Sequence, residues 1–295
     1  MWKIFAVPRQ IAAILAHPLN EGAAVRTVAR WAGWQIGSRL LHEPILMPFV
    51  AGTRLAITSG MTGATGNIYF GLAEYVDMAF AAHLLEPGSL FVDVGANIGS
   101  YSILAAGHAS SDVIAIEPIP KTFQRLQLNV RINDLGQRIE TLCCGLGAET
   151  GTLRFIDNRD TTNRVAIDGE AGTPIPIRTL DDILDGRVPR LIKIDVEGFE
   201  MQVLKGSSRV LREKDLLGLI IENNEHSRLY GNEPDGVRNH LSNLGFEEIG
   251  YEPFSRKIFV SPNSTNANAI FVRNRAAVEP LVRAAPALQV NGRSI

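Results

Sequence analysis

Cysteine is almost missing from this chain. Its 295 residues hold two, Cys143 and Cys144, and they are adjacent. Neighbours on a strand point to opposite faces, so these two are not placed to bridge each other. With no third cysteine there is no disulfide framework, and the expected setting is a reducing one, the cytoplasm. No histidine stands near them, which makes a zinc site of the cysteine type a poor reading. Long apolar runs are also missing. Ile4 to Leu19 is interrupted by Pro8, Arg9, His17 and Pro18. It is too short and broken for a membrane span and a poor signal peptide. Charge of one sign is missing too: 29 Lys and Arg against 31 Asp and Glu leave −2. That balance offers no broad attraction to nucleic acid. What remains, 45% apolar and 20% charged residues, describes a globular chain with a sizeable core.

A second kind of absence is more informative. Leu90-Phe-Val-Asp-Val-Gly-Ala-Asn-Ile-Gly99 is an apolar run, an acid and a glycine turn, followed by the helix-compatible Ser100 to Ala106. This is the entry unit of a doubly wound α/β sheet. A dinucleotide fold spaces its glycines G-x-G-x-x-G so that backbone closes on a pyrophosphate. Here Asn97 stands where the second glycine belongs, and Asp93 faces the loop. A carboxylate there repels a pyrophosphate and suits a ligand that carries an ammonium and no phosphate; S-adenosylmethionine is such a ligand. Gly95 and Gly99 are expected where a side chain would strike the ligand or the helix–strand contact. Twenty-four residues after Asp93, the run Val113 to Ile116 ends in Glu117. A carboxylate at a second strand tip accepts from both hydroxyls of a ribose. The plainer alternative is an ordinary βα turn with a capping Asn97.

Leu191-Ile-Lys-Ile-Asp-Val-Glu-Gly-Phe-Glu200 is the other unusual stretch. Buried central strands are normally apolar throughout. If the strand runs on, Lys193, Asp195 and Glu197 share one side, at the strand end where such sheets bind ligands. A Lys–Asp ion pair closing the strand is the alternative. Glu222 repeats the theme one strand over, with Asn223, Asn224 and His226 behind it. Asp195, Glu197, Glu222 and His226 are the candidate bases, and His226 reads equally as a surface or capping residue. The three carboxylates could instead hold Mg²⁺ to acidify a bound hydroxyl. Residues alone leave that choice open.

The rest of the chain is organised around these units. Residues 1 to about 45 look helical, with Val25, Val28, Ala32 and Ile36 at helical spacing and Trp31 and Trp34 adding bulk. Gly60 to Gly71 is too punctuated by glycine for a regular element. A helix over 72–85 follows, and Tyr69 and Tyr75 could rim the site or pack in the core. Strands and helices then alternate to about residue 244, and 246–251 and 268–273 complete the strands. Asp157 to Pro176 looks like a surface loop. Thr179 is expected to cap a short helix. The last twenty residues look like a tail. The expected division is a mainly helical extension over 1–59, a catalytic domain over 60–274 and a tail over 275–295.

Together, Phe91 to Tyr101, Glu117-Pro118, Asn129 to Leu135, Thr179-Leu-Asp-Asp and Lys193-Ile-Asp-Val-Glu-Gly-Phe-Glu resemble the FkbM-type methyltransferases. The resemblance spans about residues 60 to 273. It implies a class I, Rossmann-like fold: a doubly wound seven-stranded sheet, mostly parallel, with an antiparallel last strand. It implies S-adenosylmethionine and methyl transfer to a hydroxyl of a sugar, glycolipid or natural product. In that frame Asp93, Gly95, Asn97 and Gly99 hold the methionine end, Glu117 and Pro118 the ribose, and the chain around Cys144 the adenine. Competing classes are an NAD(P)-dependent oxidoreductase, against which the glycine spacing and Asp93 argue, and a non-catalytic nucleoside-binding protein, which has no need of charged strand tips. The acceptor and the oligomeric state are not written in the residues.

Overall fold

The computed structural model describes residues 3–41, 43–156, 163–167, 170–223, 229–230, 233, 235–261 and 267–295. The chain opens with helices α1 (Lys3–Ala16) and α2 (Ala24–Leu40), a hairpin of β1 (Ile45–Pro48) and β2 (Arg54–Ile57), and helices α3 (Thr62–Phe70) and α4 (Tyr75–Leu84). Alternation starts with β3 (Leu90–Val94), α5 (Ser100–His108), β4 (Asp112–Ile116), α6 (Pro120–Ile132) and β5 (Ile139–Leu142). A side sheet follows, made of β6 (Gly145–Leu146), β7 (Gly151–Ile156), β8 (Arg164–Val165) and β9 (Thr173–Arg178). After α7 (Leu180–Leu184) come β10 (Leu191–Ile194), α8 (Glu200–Lys205), β11 (Gly218–Glu222), α9 (Gly236–Asn243), β12 (Glu247–Glu252), β13 (Lys257–Val260) and β14 (Asn268–Val272). The chain finishes with α10 (Arg275–Ala284) and the hairpin β15 (Gln289–Val290) and β16 (Arg293–Ser294).

The main sheet has the order β13-β12-β14-β11-β10-β3-β4-β5. β5, β4, β3, β10 and β11 run parallel, and β14 is antiparallel to both its neighbours. This is the expected doubly wound class with its reversed last strand. The difference is an eighth strand: β13 adds antiparallel to β12 at the edge, because the chain returns as a hairpin after Glu252. Strand alternation divides the core. Phe91, Leu191 and Ile220 face α4, α5 and the N-terminal elements. Val92, Val94, Ile192, Ile194 and Leu219 face α7, α8 and α9. Each fully buried large side chain contributes about 1.5–3 kcal/mol.

Three expectations need correction. Gly60 to Gly71 is not irregular: α3 runs through it. Gly60 and Gly71 do the punctuating, at φ +94° and +89°, while the absence of a side chain on Gly66 lets α3 approach Ala73 closely. Within Asp157 to Pro176, β8 and β9 are strands of the side sheet, with Ile175 and Ile177 buried on alternate positions. Residues 275–295 are no loose tail. Val278 and Val282 of α10 are buried in the core shared with α4 and β3, and Ile295 exchanges two backbone hydrogen bonds with Leu288.

The N-terminal elements are tied to the same core. Asn129 of α6 accepts from Ala56 N–H on β2 through Oδ1 and donates through Nδ2 to the Ile98 carbonyl. One buried amide thereby joins the extension to the glycine turn. No described helix is long and apolar enough to cross a membrane.

Candidate active site

The C-terminal ends of β3, β4, β10 and β11 open on a cavity of about 410 Å³. Asp93, Gly95, Asn97, Glu117, Pro118, Cys144, Asp195, Glu197 and Glu222 all line it. Gly99 does not. His226 lies outside the described residues, as does Asn224.

The turn after β3 is wound tightly around Ile116. Gly95 and Ala96 both donate backbone N–H groups to its carbonyl. Asn97 sits at φ +51°, a left-handed position that asparagine tolerates. Its N–H donates to Glu117 Oε2 at 3.0 Å, and Ile119 N–H donates to Oε1 at 3.0 Å. The carboxylate that the sequence assigns to a ribose is therefore aimed by two backbone amides, and each oxygen keeps a lone pair for a ligand. Burial raises Glu117 to about 7 despite those two bonds.

Asp93 is almost wholly buried. Ser102 Oγ donates to its Oδ2 at 2.6 Å, whereas Oδ1 has no hydrogen-bond partner. Burial pushes this carboxyl above the usual range. An unsatisfied carboxylate oxygen in the wall of a cavity is costly unless something donates to it. Lys193 lies opposite Asp93 in the β3–β10 register and points to the same face. Its Nζ donates to Asp195 Oδ2 at 2.7 Å and stands 4.9 Å from the Tyr101 ring centroid. Burial works against the ammonium, but Asp195, Glu74 and Asp93 outweigh it and hold Lys193 above its ordinary value.

β10 ends at Ile194, so the expected strand alternation does not reach Glu197. The chain turns instead, with Glu197 at φ +54° and Gly198 at +100°. Glu200 Oε1 holds this turn from behind, accepting from Gly198 N–H at 2.9 Å and Val196 N–H at 3.3 Å. The turn still gathers the predicted acids: Asp195, Glu197 and Glu222 each present a carboxylate oxygen within 4.8 Å of the others.

Several wall residues are not in the expected set. Glu74 accepts from Tyr101 Oη at 2.5 Å and from Asn268 Nδ2 at 2.9 Å. The same Asn268 amide donates to Asp77 Oδ2 at 3.1 Å, and burial lifts Asp77 to about 6. Asn67 of α3 donates to Ser100 Oγ and accepts from Ala73 N–H. Asp77 itself does not line the cavity. A sequence signal for Glu74 exists: it and Asp77 are the only acids in the apolar run 72–85. Tyr69 and Tyr75 do not line the cavity. Tyr69 takes a hydrogen bond from Gln35, and Tyr75 packs on His17 and Phe254.

The model of the methyltransferase FkbM domain matches residues 93–248, from the Asp93 turn to β12. The chain belongs to this family. Among its relatives, methyltransferase sdnD of Sordaria araneosa is 24% identical over 221 residues, 60% of this chain and 79% of that protein. Methyltransferase 1 of Beauveria bassiana is 28% identical over 160 residues, 45% of this chain and 64% of its own length. The hexuronic acid methyltransferase AglP of Haloferax volcanii is 32% identical over 135 residues, 43% of this chain and 53% of its own. This FkbM chain thus spans less than two thirds of two of the three. Among solved structures, the C-terminal domain of precorrin-6Y C5,15-methyltransferase from Rhodobacter capsulatus superposes with a TM-score of 0.39 at 14% identity, covering 68% of this chain and 88% of that one. The fold class of the FkbM chain stands on its own strand order.

Proposed function

We propose that this FkbM-family protein transfers a methyl group from S-adenosylmethionine to a hydroxyl of a sugar or sugar-linked acceptor. The observation that carries the cofactor is the pair Asp93 and Glu117 at adjoining strand tips of one cavity, the first with an orphaned oxygen. A methionine ammonium supplies the donor that Asp93 Oδ1 lacks. Ribose hydroxyls supply donors for the outward lone pairs of Glu117. Ile119, Cys144 and Leu146, also in the wall, offer an apolar bed for a purine. When bound, the sulfonium supplies an activated methyl group. The remaining task of the protein is to orient an oxygen, exclude water and take a proton. Asp195, Glu197 and Glu222 are the groups at hand for the proton, and Lys193 fixes the orientation of the first. A sugar as the acceptor is supported by the hexuronic acid methyltransferase among the relatives.

Calorimetry tests the cofactor. S-Adenosylmethionine or its demethylated product is expected to bind in the micromolar range, about −8 kcal/mol at 1 μM. Glu117→Gln keeps the shape and removes the charge, and should weaken binding by about 1–3 kcal/mol. Tight NADH binding with no response to the sulfonium cofactor refutes the reading.

A pH dependence follows from the raised Glu117. Its carboxylate form is the better acceptor, so affinity should improve several-fold between about pH 6 and about pH 8 and stay flat in Glu117→Gln. Stability moves the other way. The folded value, about 7, lies above the ordinary 4.5. The contribution of this group is therefore complete below about 4.5 and is lost as pH rises through about 7.

A further inference from the structure

Helix α2 packs by Thr27 and Trp34, both buried. Its opposite side is covered by nothing among the described residues. Val25 is 86% exposed, Ile36 60% and Leu40 74%. Val28 joins them on that side, with the small Ala29 and Gly33 between. The apolar surface runs the length of the helix, about 25 Å, and continues into the exposed Leu41 and Leu46. Scattered apolar residues on a surface need no explanation, but a continuous stripe does. The stripe is flanked by charge of one sign. Arg26 and Arg39 are the polar residues among the exposed positions of α2. From residue 22 to residue 42 the sequence has three arginines and no carboxylate. Residues 1–59 carry six Lys and Arg against two Glu, whereas the whole chain is net −2.

We propose that the outward face of α2 docks on an anionic lipid surface. An apolar stripe rimmed by arginine on a helix lying flat against its own protein is the pattern of an interfacial helix. Its aliphatic side chains would enter the acyl boundary, and Arg26 and Arg39 would meet lipid phosphates. A second copy of the chain fits less well. Two α2 helices face to face bring arginine against arginine, with no acid on either face to pair them. The docked helix packs on α3, and α3 supplies Gly63, Ala64 and Asn67 to the cavity wall. The cavity thus lies one helix away from the membrane. The proposal does not depend on which acceptor is methylated.

Flotation of the whole protein with vesicles tests it. Wild type should float with phosphatidylcholine vesicles containing about one third phosphatidylglycerol, much less with phosphatidylcholine alone, and less as salt is raised. The triple variant Val25→Asp, Ile36→Asp, Leu40→Asp should lose at least about tenfold in partitioning while its thermal unfolding is unchanged, since all three side chains are exposed. Arg26→Gln with Arg39→Gln should lose the preference for anionic vesicles and serves if the triple variant is unstable. Failure of wild type to float with the anionic vesicles overturns the proposal, and so does a triple variant that floats as well as wild type. Dimers in sedimentation that the triple variant dissolves, with no vesicle binding by wild type, reassign the face to a second copy.

Discussion

At least one of Asp195→Asn and Glu197→Gln should cut turnover about a hundredfold or more, the scale of a lost acid–base group, with cofactor affinity nearly unchanged. Both substitutions are close to isosteric, and neither carboxylate belongs to the Asp93–Glu117 pair. Asp195 is the more constrained of the two. Its Oδ2 already takes the Lys193 ammonium at 2.7 Å, so a proton must go to the other oxygen. Glu197 is held in a left-handed turn, and backbone of that kind persists where the surroundings over-determine it. Single-turnover rates and cofactor titrations of both variants separate chemistry from binding. If both turn over like wild type, the proton acceptor is Glu222 or His226. The same assay in EDTA addresses the metal alternative. The donor set of three carboxylates within 4.8 Å suits a hard cation, although Lys193 already neutralises part of it. Activity lost in EDTA and restored by Mg²⁺ supports the cation; activity indifferent to both leaves the acids to act as bases.

Gly95→Ala should be the most damaging small substitution in the site. Gly95 has φ +76°, and a Cβ placed there lies 1.8 Å from the Asp195 carbonyl oxygen. The left-handed penalty is about 1–2 kcal/mol, and moving the end of β10 adds about 1–3 kcal/mol. The result is a protein destabilised by several kcal/mol whose Asp195–Glu197 turn is displaced, rather than a folded protein with a blocked pocket. At Gly99 a Cβ meets the tip of Leu126, which can swing aside. Gly99→Ala should therefore cost about 1–2 kcal/mol, mostly for its φ of +90°. Urea unfolding of the two variants checks the contrast. Equal destabilisation would mean that the Asp195 carbonyl yields as readily as a leucine methyl.

The contrast also shows what the residues reveal and what they hide. The glycine turn, Glu117 and the acids of 195–197 were legible because they break rules of buried strands and nucleotide-binding turns. The reason for Gly95 was not legible: its neighbour across the turn is a carbonyl a hundred residues away, and contacts of that range leave no local trace. The helix α3 was hidden for a related reason. Gly63 and Gly66 weaken a helix in isolation, and only the packing of Ala64 and Ile68 against the core restores it. The apolar spacing of Val25, Val28 and Ile36 announced α2 correctly, yet these side chains lie on its outward side. Periodicity identifies a helix without saying which face is covered. Glu74 stayed out of view because the side chain that holds it, Asn268 on the strand that runs the other way, lies 194 residues further along the chain.

That reversed strand bears on how the protein is made. β14 begins at the edge of the sheet where the parallel strands end, so Asn268 reaches Glu74 across 194 residues of chain. Asn291 accepts from Arg30 across 261 and donates to Asn20 across 271. Links of such sequence separation form late, because loop closure must precede them. A nascent chain still short of β14 holds the whole Asp93 turn and Glu117 but lacks the Asn268 bond to Glu74 and the clasp on its N-terminal helices. The N-terminal helices therefore gain their Asn291 clasp only after β14 has been made.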